Sequence, residues 1–267
     1  MEFAVPRAEA TLVSVVGAKG GVGKTTSAIN LAASLTGAET RVLVVEADLA
    51  TANLLDFLDV AVDVDREPTL LDVLADGRSP STAVYDAPGG FDVVPAGFDI
   101  QRYAEVDPAE FPAVVAALAD GYDVVVIDVG AGVSYETVVP LSMAELTVLV
   151  SSPRVASVRD MEKTKRIVDR VGGTVAGGLF VRAGTGSAPP PARIAEYVDV
   201  RLLGHVPEDE TVPAAQDAGE PVVLYDETAP ATDAYRKAAA ALRRPAGGRS
   251  ATGDPDGEEP LPDSPQA

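Results

Sequence analysis

The chain has 267 residues, 46% of them hydrophobic, with 41 acidic residues against 21 basic ones and a formal net charge of −20. That size suits one large α/β domain, and the apolar fraction excludes a chain without a core. The absence of cysteine excludes disulfides, thiolate nucleophiles, thiolate-bound zinc and iron–sulfur clusters.

No apolar run reaches the ~18 residues of a membrane span. The N-terminal MEFAVPRAEA has neither the basic nor the apolar region of a secretory signal, so a cytoplasmic location is expected. Lys19, Lys24, Lys163, Lys165 and Lys237 are the only lysines; the other basic residues are arginine. An acidic, lysine-poor chain suits concentrated salt, where self-repulsion is screened, and a halophilic source is expected.

In chain order, a strand is predicted at 11–17 (TLVSVVG), a helix at 24–36 and strands at 41–48 (RVLVVEAD) and 91–97 (FDVVPAG). A helix at 108–119, a strand at 122–129 (YDVVVIDV), a helix at 135–144 and a strand at 146–152 (LTVLVSS) follow. Then come a helix at 155–171, a strand at 174–181 (TVAGGLFV), a helix at 190–198, a strand at 201–207 (RLLGHVP) and a helix at 230–243. The strand candidates are continuous Val/Leu/Ile runs, as expected where both sheet faces are covered. The pattern implies an α/β fold: one three-layer domain with a mainly parallel, doubly wound sheet and helices on both faces. Residues 1–10 form a lead-in, 11–244 the domain, and 245–267 an acidic Pro/Gly-rich tail whose composition predicts disorder. Ligands of such sheets bind beyond the carboxyl ends of the strands.

The first strand leads into Gly17-Ala18-Lys19-Gly20-Gly21-Val22-Gly23-Lys24-Thr25-Thr26 and then a helix. This is the spacing of a P-loop, with Ala18 where the general pattern has its first glycine. Backbone N–H groups from Gly20 to Thr26 would cradle phosphate oxygens, aided by the helix dipole. Lys24 would reach the β- and γ-phosphates, and the Thr25 hydroxyl would ligate Mg²⁺. The fourth predicted strand ends in Ile127-Asp128-Val129-Gly130-Ala131-Gly132, a Walker B and switch II pattern. Asp128 would hold Mg²⁺ through water and Gly132 would sense the γ-phosphate.

Lys19, a second lysine inside the loop, makes KGGVGKTT resemble the deviant Walker A motif of the MinD/ParA family. Two more segments are similar to MinD: Val150 to Asp160, and Val206-Pro207-Glu208-Asp209-Glu210 followed by Gly219-Glu220-Pro221. The resemblance implies an ATP- and Mg²⁺-dependent ATPase that forms a face-to-face homodimer, with Lys19 touching the partner's phosphates. It makes Asp48 the switch I carboxylate beside the attacking water; the alternative for Asp48 is a helix cap. Glu46 stands where the family has an aspartate. Val181-Arg182 replaces the family's Asn-Arg, so base selection rests on Arg182, Pro207 and Asp209. Val129-Gly130 departs from the family's switch II.

The expected function is a MinD-like spatial regulator of cell division or positioning with a protein partner. The alternatives are a ParA-type DNA-partitioning ATPase and a non-hydrolysing nucleotide-dependent scaffold. Arg154, Arg159, Lys163, Lys165, Arg166 and Arg170 form one basic stretch, read as a solvated helix with a Glu162–Arg166 pair or as a docking face. The acidic surface argues against nonspecific DNA binding, which rests on phosphate neutralisation. The last helix, DAYRKAAAALRR, lacks the bulky apolar face of a membrane-binding helix. His205, the only histidine, is assigned no role.

Overall fold

The structure is a computed structural model, and it describes residues 10–17, 19–132, 134–184 and 189–243. Ala18, most of the lead-in, Arg244 and the tail at 245–267 lie outside the described residues. The strands are β1 (Thr11–Val16), β2 (Val42–Glu46), β3 (Tyr85–Asp86), β4 (Asp92–Val94), β5 (Val124–Asp128), β6 (Leu146–Ser151), β7 (Val175–Ala183) and β8 (Leu202–Pro207). The helices are α1 (Lys24–Leu35), α2 (Leu70–Asp76), α3 (Ile100–Glu105), α4 (Phe111–Ala119), α5 (Tyr135–Met143), α6 (Val155–Arg170), α7 (Pro191–Val198), α8 (Thr211–Asp217), α9 (Val222–Tyr225) and α10 (Pro230–Leu242).

The strands form one sheet in the order β3-β4-β2-β5-β1-β6-β7-β8. Every pairing is parallel except that of the two-residue edge strand β3 with β4. β1, the first strand, lies near the middle. The chain fills one side of it, crosses back through β5 and builds the other side from β6 onward.

The continuous apolar strands are explained by cores on both faces. On one face Ile29, Leu31, Val222, Tyr235 and Ala238 of α1, α9 and α10 pack together with Val15, Val44 and Leu179 of the sheet. On the other, Leu71, Val115, Leu141, Met161 and Ile194 of α2, α4, α5, α6 and α7 cover Leu43, Ile127 and Leu149. Alternate residues of each strand thus enter opposite cores, and a polar residue at either position would be buried.

All seven predicted strands and all six predicted helices are present. The elements absent from the expectation, β3, α2, α3, α8 and α9, are seven residues long or shorter. Among the described residues no helix is long and apolar enough to cross a membrane.

Candidate functional site

The site starts where β1 ends. Gly21 and Gly23 adopt left-handed φ values of 69° and 96°, which glycine reaches without steric cost. Gly23 is also the N-cap of α1, and no side chain caps that helix. The first-turn N–H groups therefore lack a side-chain acceptor and open toward an anion. Lys24 is only 8% exposed, and among the described residues its ammonium forms no ion pair. A buried cation and an uncapped helix end at one place call for a bound anion.

Facing them is Asp128 at the end of β5, 2% exposed. Its Oδ1 is buried and has no hydrogen-bond partner among the described residues. Burial pushes its carboxyl up to about 7, against the pull of the Thr25 hydroxyl and Lys24, while the Glu46 carboxylate adds to the rise. An orphaned carboxylate oxygen beside a threonine hydroxyl is a donor set that fits Mg²⁺ with its water ligands. Thr25 and Asp128, the predicted metal residues, are thus brought together.

Glu46 has a role that spacing could not reveal. It is 1% exposed. Its Oε1 accepts the N–H groups of Asn53 (2.6 Å) and Leu54 (2.7 Å), and its Oε2 accepts that of Ala96 (2.9 Å). Burial raises its carboxyl and the three N–H donors pull it back, for a net rise. The carboxylate ties the loop after β2 to the end of β4. That loop carries Asn53, whose Oδ1 accepts the Thr25 hydroxyl at 3.1 Å.

Asp48 sits half-buried at the wall of the cleft. Its Oδ1 accepts the Thr51 N–H (3.1 Å) and hydroxyl (2.8 Å). This closes a turn and caps no helix, since the next helical turn, Leu54–Asp56, starts after Asn53. The other carboxylate oxygen remains for the cleft. A Cβ at Gly130 would lie 3.1 Å from the Asp48 Cγ. The switch II departure therefore has a local cause: glycine makes room for that carboxylate. Gly132, with φ 105°, is exposed and has nothing within 4 Å of an added Cβ.

These groups line a cleft of about 520 Å³ that includes Gly20, Gly21, Lys24, Thr25, Asp48 and Asn53. Tyr103 of α3 and Glu136 of α5 also line it and share a 2.6 Å hydrogen bond. A second cavity of about 190 Å³ continues from it, sharing Gly23, Thr26, Arg182 and Gln216. Pro207 and Asp209 line this second cavity, so the predicted base-side residues meet there. Arg182 holds a left-handed φ of 55° and donates from Nη2 to the Gly21 carbonyl at 3.0 Å. Both Asp209 oxygens are engaged, by the N–H groups of Thr211 (2.9 Å) and Ala231 (3.0 Å). A larger hollow of about 650 Å³, lined by Thr11, Val124 and Glu145, lies at the amino ends of the strands, the wrong edge for a ligand of such a sheet.

Lys19 is not in this cleft. Its ammonium pairs with Asp160 of α6 at 2.8 Å while the side chain stays 55% exposed. Asp160 also pairs with Lys163, and Lys165 with Asp199. Among the described residues these are the ion pairs of α6, and the expected Glu162–Arg166 pair is not among them. Spacing alone did not identify Asn53, Tyr103, Glu136 or Gln216. Their partners lie 28 to 190 positions away, beyond the reach of local spacing.

A family model described as an AAA domain matches residues 10–176. An uncharacterized ATP-binding protein of Methanocaldococcus jannaschii is 32% identical, the match covering 87% of this chain and 88% of that protein. The septum site-determining protein MinD of Bacillus subtilis is 28% identical over 85% of this chain and 87% of its own. The solved structure of MinD from Pyrococcus horikoshii, complexed with Mg-ADP, superposes with a TM-score of 0.82 at 30% identity, covering 89% of this chain and 98% of that one. The glycine loop with its second lysine, the sheet order and these likenesses agree, and the chain belongs to the MinD/ParA family of ATP-binding P-loop ATPases.

Proposed function

We propose that this chain is a MinD-type ATPase: it binds ATP with Mg²⁺, dimerises face to face, hydrolyses ATP, and so switches between partner-bound and free states as a spatial regulator. The observation that carries the reading is the pairing of the uncapped N-terminus of α1 and buried Lys24 with the orphaned Asp128 Oδ1. Each half is costly without a ligand, and a magnesium triphosphate satisfies both. The B. subtilis relative bears the name septum site-determining protein, which supports a role in division or positioning.

In the proposed mechanism the N–H groups from Gly20 to Thr26 bind the phosphates and Lys24 spans the β- and γ-oxygens. Thr25 and Asp128 would hold Mg²⁺, which supplies charge neutralisation on the transferring phosphoryl group. Asp48 orients the attacking water, and Gly132 follows the γ-phosphate. Lys19 leaves Asp160 to reach the partner's phosphates. Exposed ion pairs hold weakly, so this exchange is easily made. Phe98, Ile100, Tyr103 and Tyr135 are exposed apolar side chains, and Tyr103 itself lines the cleft. Tyr103 gives the cleft mouth some of the character of a surface to be covered.

The acidic, lysine-poor surface supports a working environment of concentrated salt. Arg154, which precedes α6, and the exposed basic residues of that helix, Arg159, Lys163, Arg166 and Arg170, are a face for a protein partner. The test of the nucleotide reading is Lys24→Ala in calorimetry with ATP·Mg²⁺. Loss of binding is expected because several charge-assisted contacts disappear together; unchanged affinity would overturn the P-loop assignment.

A further inference from the structure

Among the described residues, the charged side chains lining the phosphate cleft are Lys24, Asp48, Glu136 and Arg182. Arg182 stands at the junction with the second cavity, whereas Asp48, Tyr103 and Glu136 line the cleft and not that cavity. A nucleotide whose base lies toward the second cavity therefore points its terminal phosphate at the end that holds both carboxylates.

Each carboxylate is held by a donor. Asp48 accepts the N–H and hydroxyl of Thr51 within its own turn. Glu136, in the first turn of α5, accepts the Tyr103 hydroxyl at 2.6 Å, and among the described residues no cation pairs with it. That bond joins α3 to α5 across 33 positions. The helix of the tyrosine is itself fixed in place. Asp99 caps α3 by accepting the N–H groups of Gln101 (2.8 Å) and Arg102 (3.1 Å), and Arg102 clasps Asp72 (3.2 Å) and Asp76 (2.8 Å) of α2. The hydrogen bond to Glu136, then burial, then the charges of Glu136 and Asp48 raise the Tyr103 hydroxyl above its ordinary value. It therefore keeps its proton at neutral pH and can donate.

A terminal phosphate brings negative charge toward these carboxylates, and like charges repel unless donors take up the charge and hold it in place. A diphosphate ends sooner and meets less of that repulsion. We propose that Tyr103 is a positioning residue: its hydroxyl pins Glu136 on the α3 side, keeps that charge off the terminal phosphate, and so raises affinity for a nucleoside triphosphate relative to the diphosphate. This rests on the nucleotide reading above and deepens it at the end of the cleft where the two nucleotides differ.

Calorimetry on the full chain with ATP·Mg²⁺ and ADP·Mg²⁺ tests it, read as the ratio of the two dissociation constants. Tyr103→Phe keeps the ring and removes the hydroxyl. The ratio should shift toward ADP by about three- to tenfold, the scale of one partly screened like-charge contact. Glu136→Gln removes the charge and should leave the ratio at the parental value or nearer ATP. The double variant should also return to the parental value or beyond it toward ATP, because the hydroxyl then has no charge to restrain. An unchanged ratio in Tyr103→Phe, or a shift toward ADP in Glu136→Gln, overturns the proposal. So does a double variant that stays as far toward ADP as Tyr103→Phe, since the loss would then come from a loosened α3. All three results leave the nucleotide reading intact; a parent that binds neither nucleotide brings down both.

Discussion

Glu46→Gln is the substitution whose effect can be worked out most completely. The side chain keeps its shape but exchanges one carboxylate oxygen for an NH₂ group. Oε1 takes two backbone N–H groups and Oε2 takes one, so the amide settles with its oxygen toward Asn53 and Leu54. Its NH₂ then faces the N–H of Ala96, donor against donor. One charge-assisted hydrogen bond is lost, worth roughly 1.5–3 kcal/mol, and a buried donor is stranded. Relief of the cost of burying the charge, the main cause of the raised Glu46 carboxyl, and of repulsion from Asp48 returns part of this. The net expectation is a loss of about 2 kcal/mol. For a domain of this size that lowers the melting temperature by roughly 4–8 °C. Urea denaturation and thermal melts at one fixed KCl concentration would measure it. A second effect should accompany the first: with the loop after β2 loosened, Asn53 no longer fixes the Thr25 hydroxyl, and affinity for ATP·Mg²⁺ falls as well. A variant as stable as the parent, or more stable, would refute the reasoning that Glu46 fastens this loop to β4.

Asp48→Ala should still bind ATP but hydrolyse it at least ~10²-fold more slowly, the scale of positioned acid–base assistance; single-turnover rates at parental level would reduce Asp48 to the turn it closes with Thr51. Asp209→Ala should cost about 1–2 kcal/mol at neutral pH by uncapping the starts of α8 and α10. Burial works against the Asp209 carboxylate, but the Thr211 and Ala231 N–H groups win and hold its carboxyl below the ordinary range. Its stabilisation is therefore present above the unfolded-state value and lost as pH falls through the lower folded value. Parent and variant melts should converge in acid, and a gap independent of pH would contradict this. Thermal melts between ~0.1 and ~3 M KCl should rise steadily as the acidic surface is screened; a flat or falling series would dispose of the halophile expectation alone.

The fold was legible because both faces of the sheet are covered. That condition writes the strands as unbroken apolar runs, and their spacing leaves room for the helices between. What escaped was short or locally ambiguous. β3 has two residues. α8 carries Pro213 three positions into its seven. α2 did carry a signal: Thr69 precedes Leu70, and Asp72 accepts both the Thr69 N–H (2.8 Å) and hydroxyl (2.9 Å), an N-terminal box readable as T-x-x-D. The phosphate loop was legible because its residues are contiguous. The loop after β2 was only half legible. Asp48 could be read from its position after a strand, but Glu46 reaches Ala96 across 50 residues and Asn53 reaches Thr25 across 28. Such joins are made by the parallel sheet, which brings strand ends together whatever their distance along the chain. Asp209 shows the converse. Its position two residues after Pro207 suggested contact with a base, while one oxygen serves the Thr211 N–H two residues on and the other the Ala231 N–H, which the packing of α10 against β8 brings near.

The proposed dimer switch would depend on Lys19, which in the single chain rests on Asp160 rather than in the cleft. Light scattering coupled to size-exclusion chromatography, on parent and Lys19→Ala with ATP·Mg²⁺, ADP·Mg²⁺ or no nucleotide, tests it most directly. The parent should dimerise with ATP only, and Lys19→Ala should bind ATP with near-parental affinity yet stay monomeric. A parent that remains monomeric with ATP bound, or a Lys19→Ala chain that dimerises as the parent does, would contradict the switch.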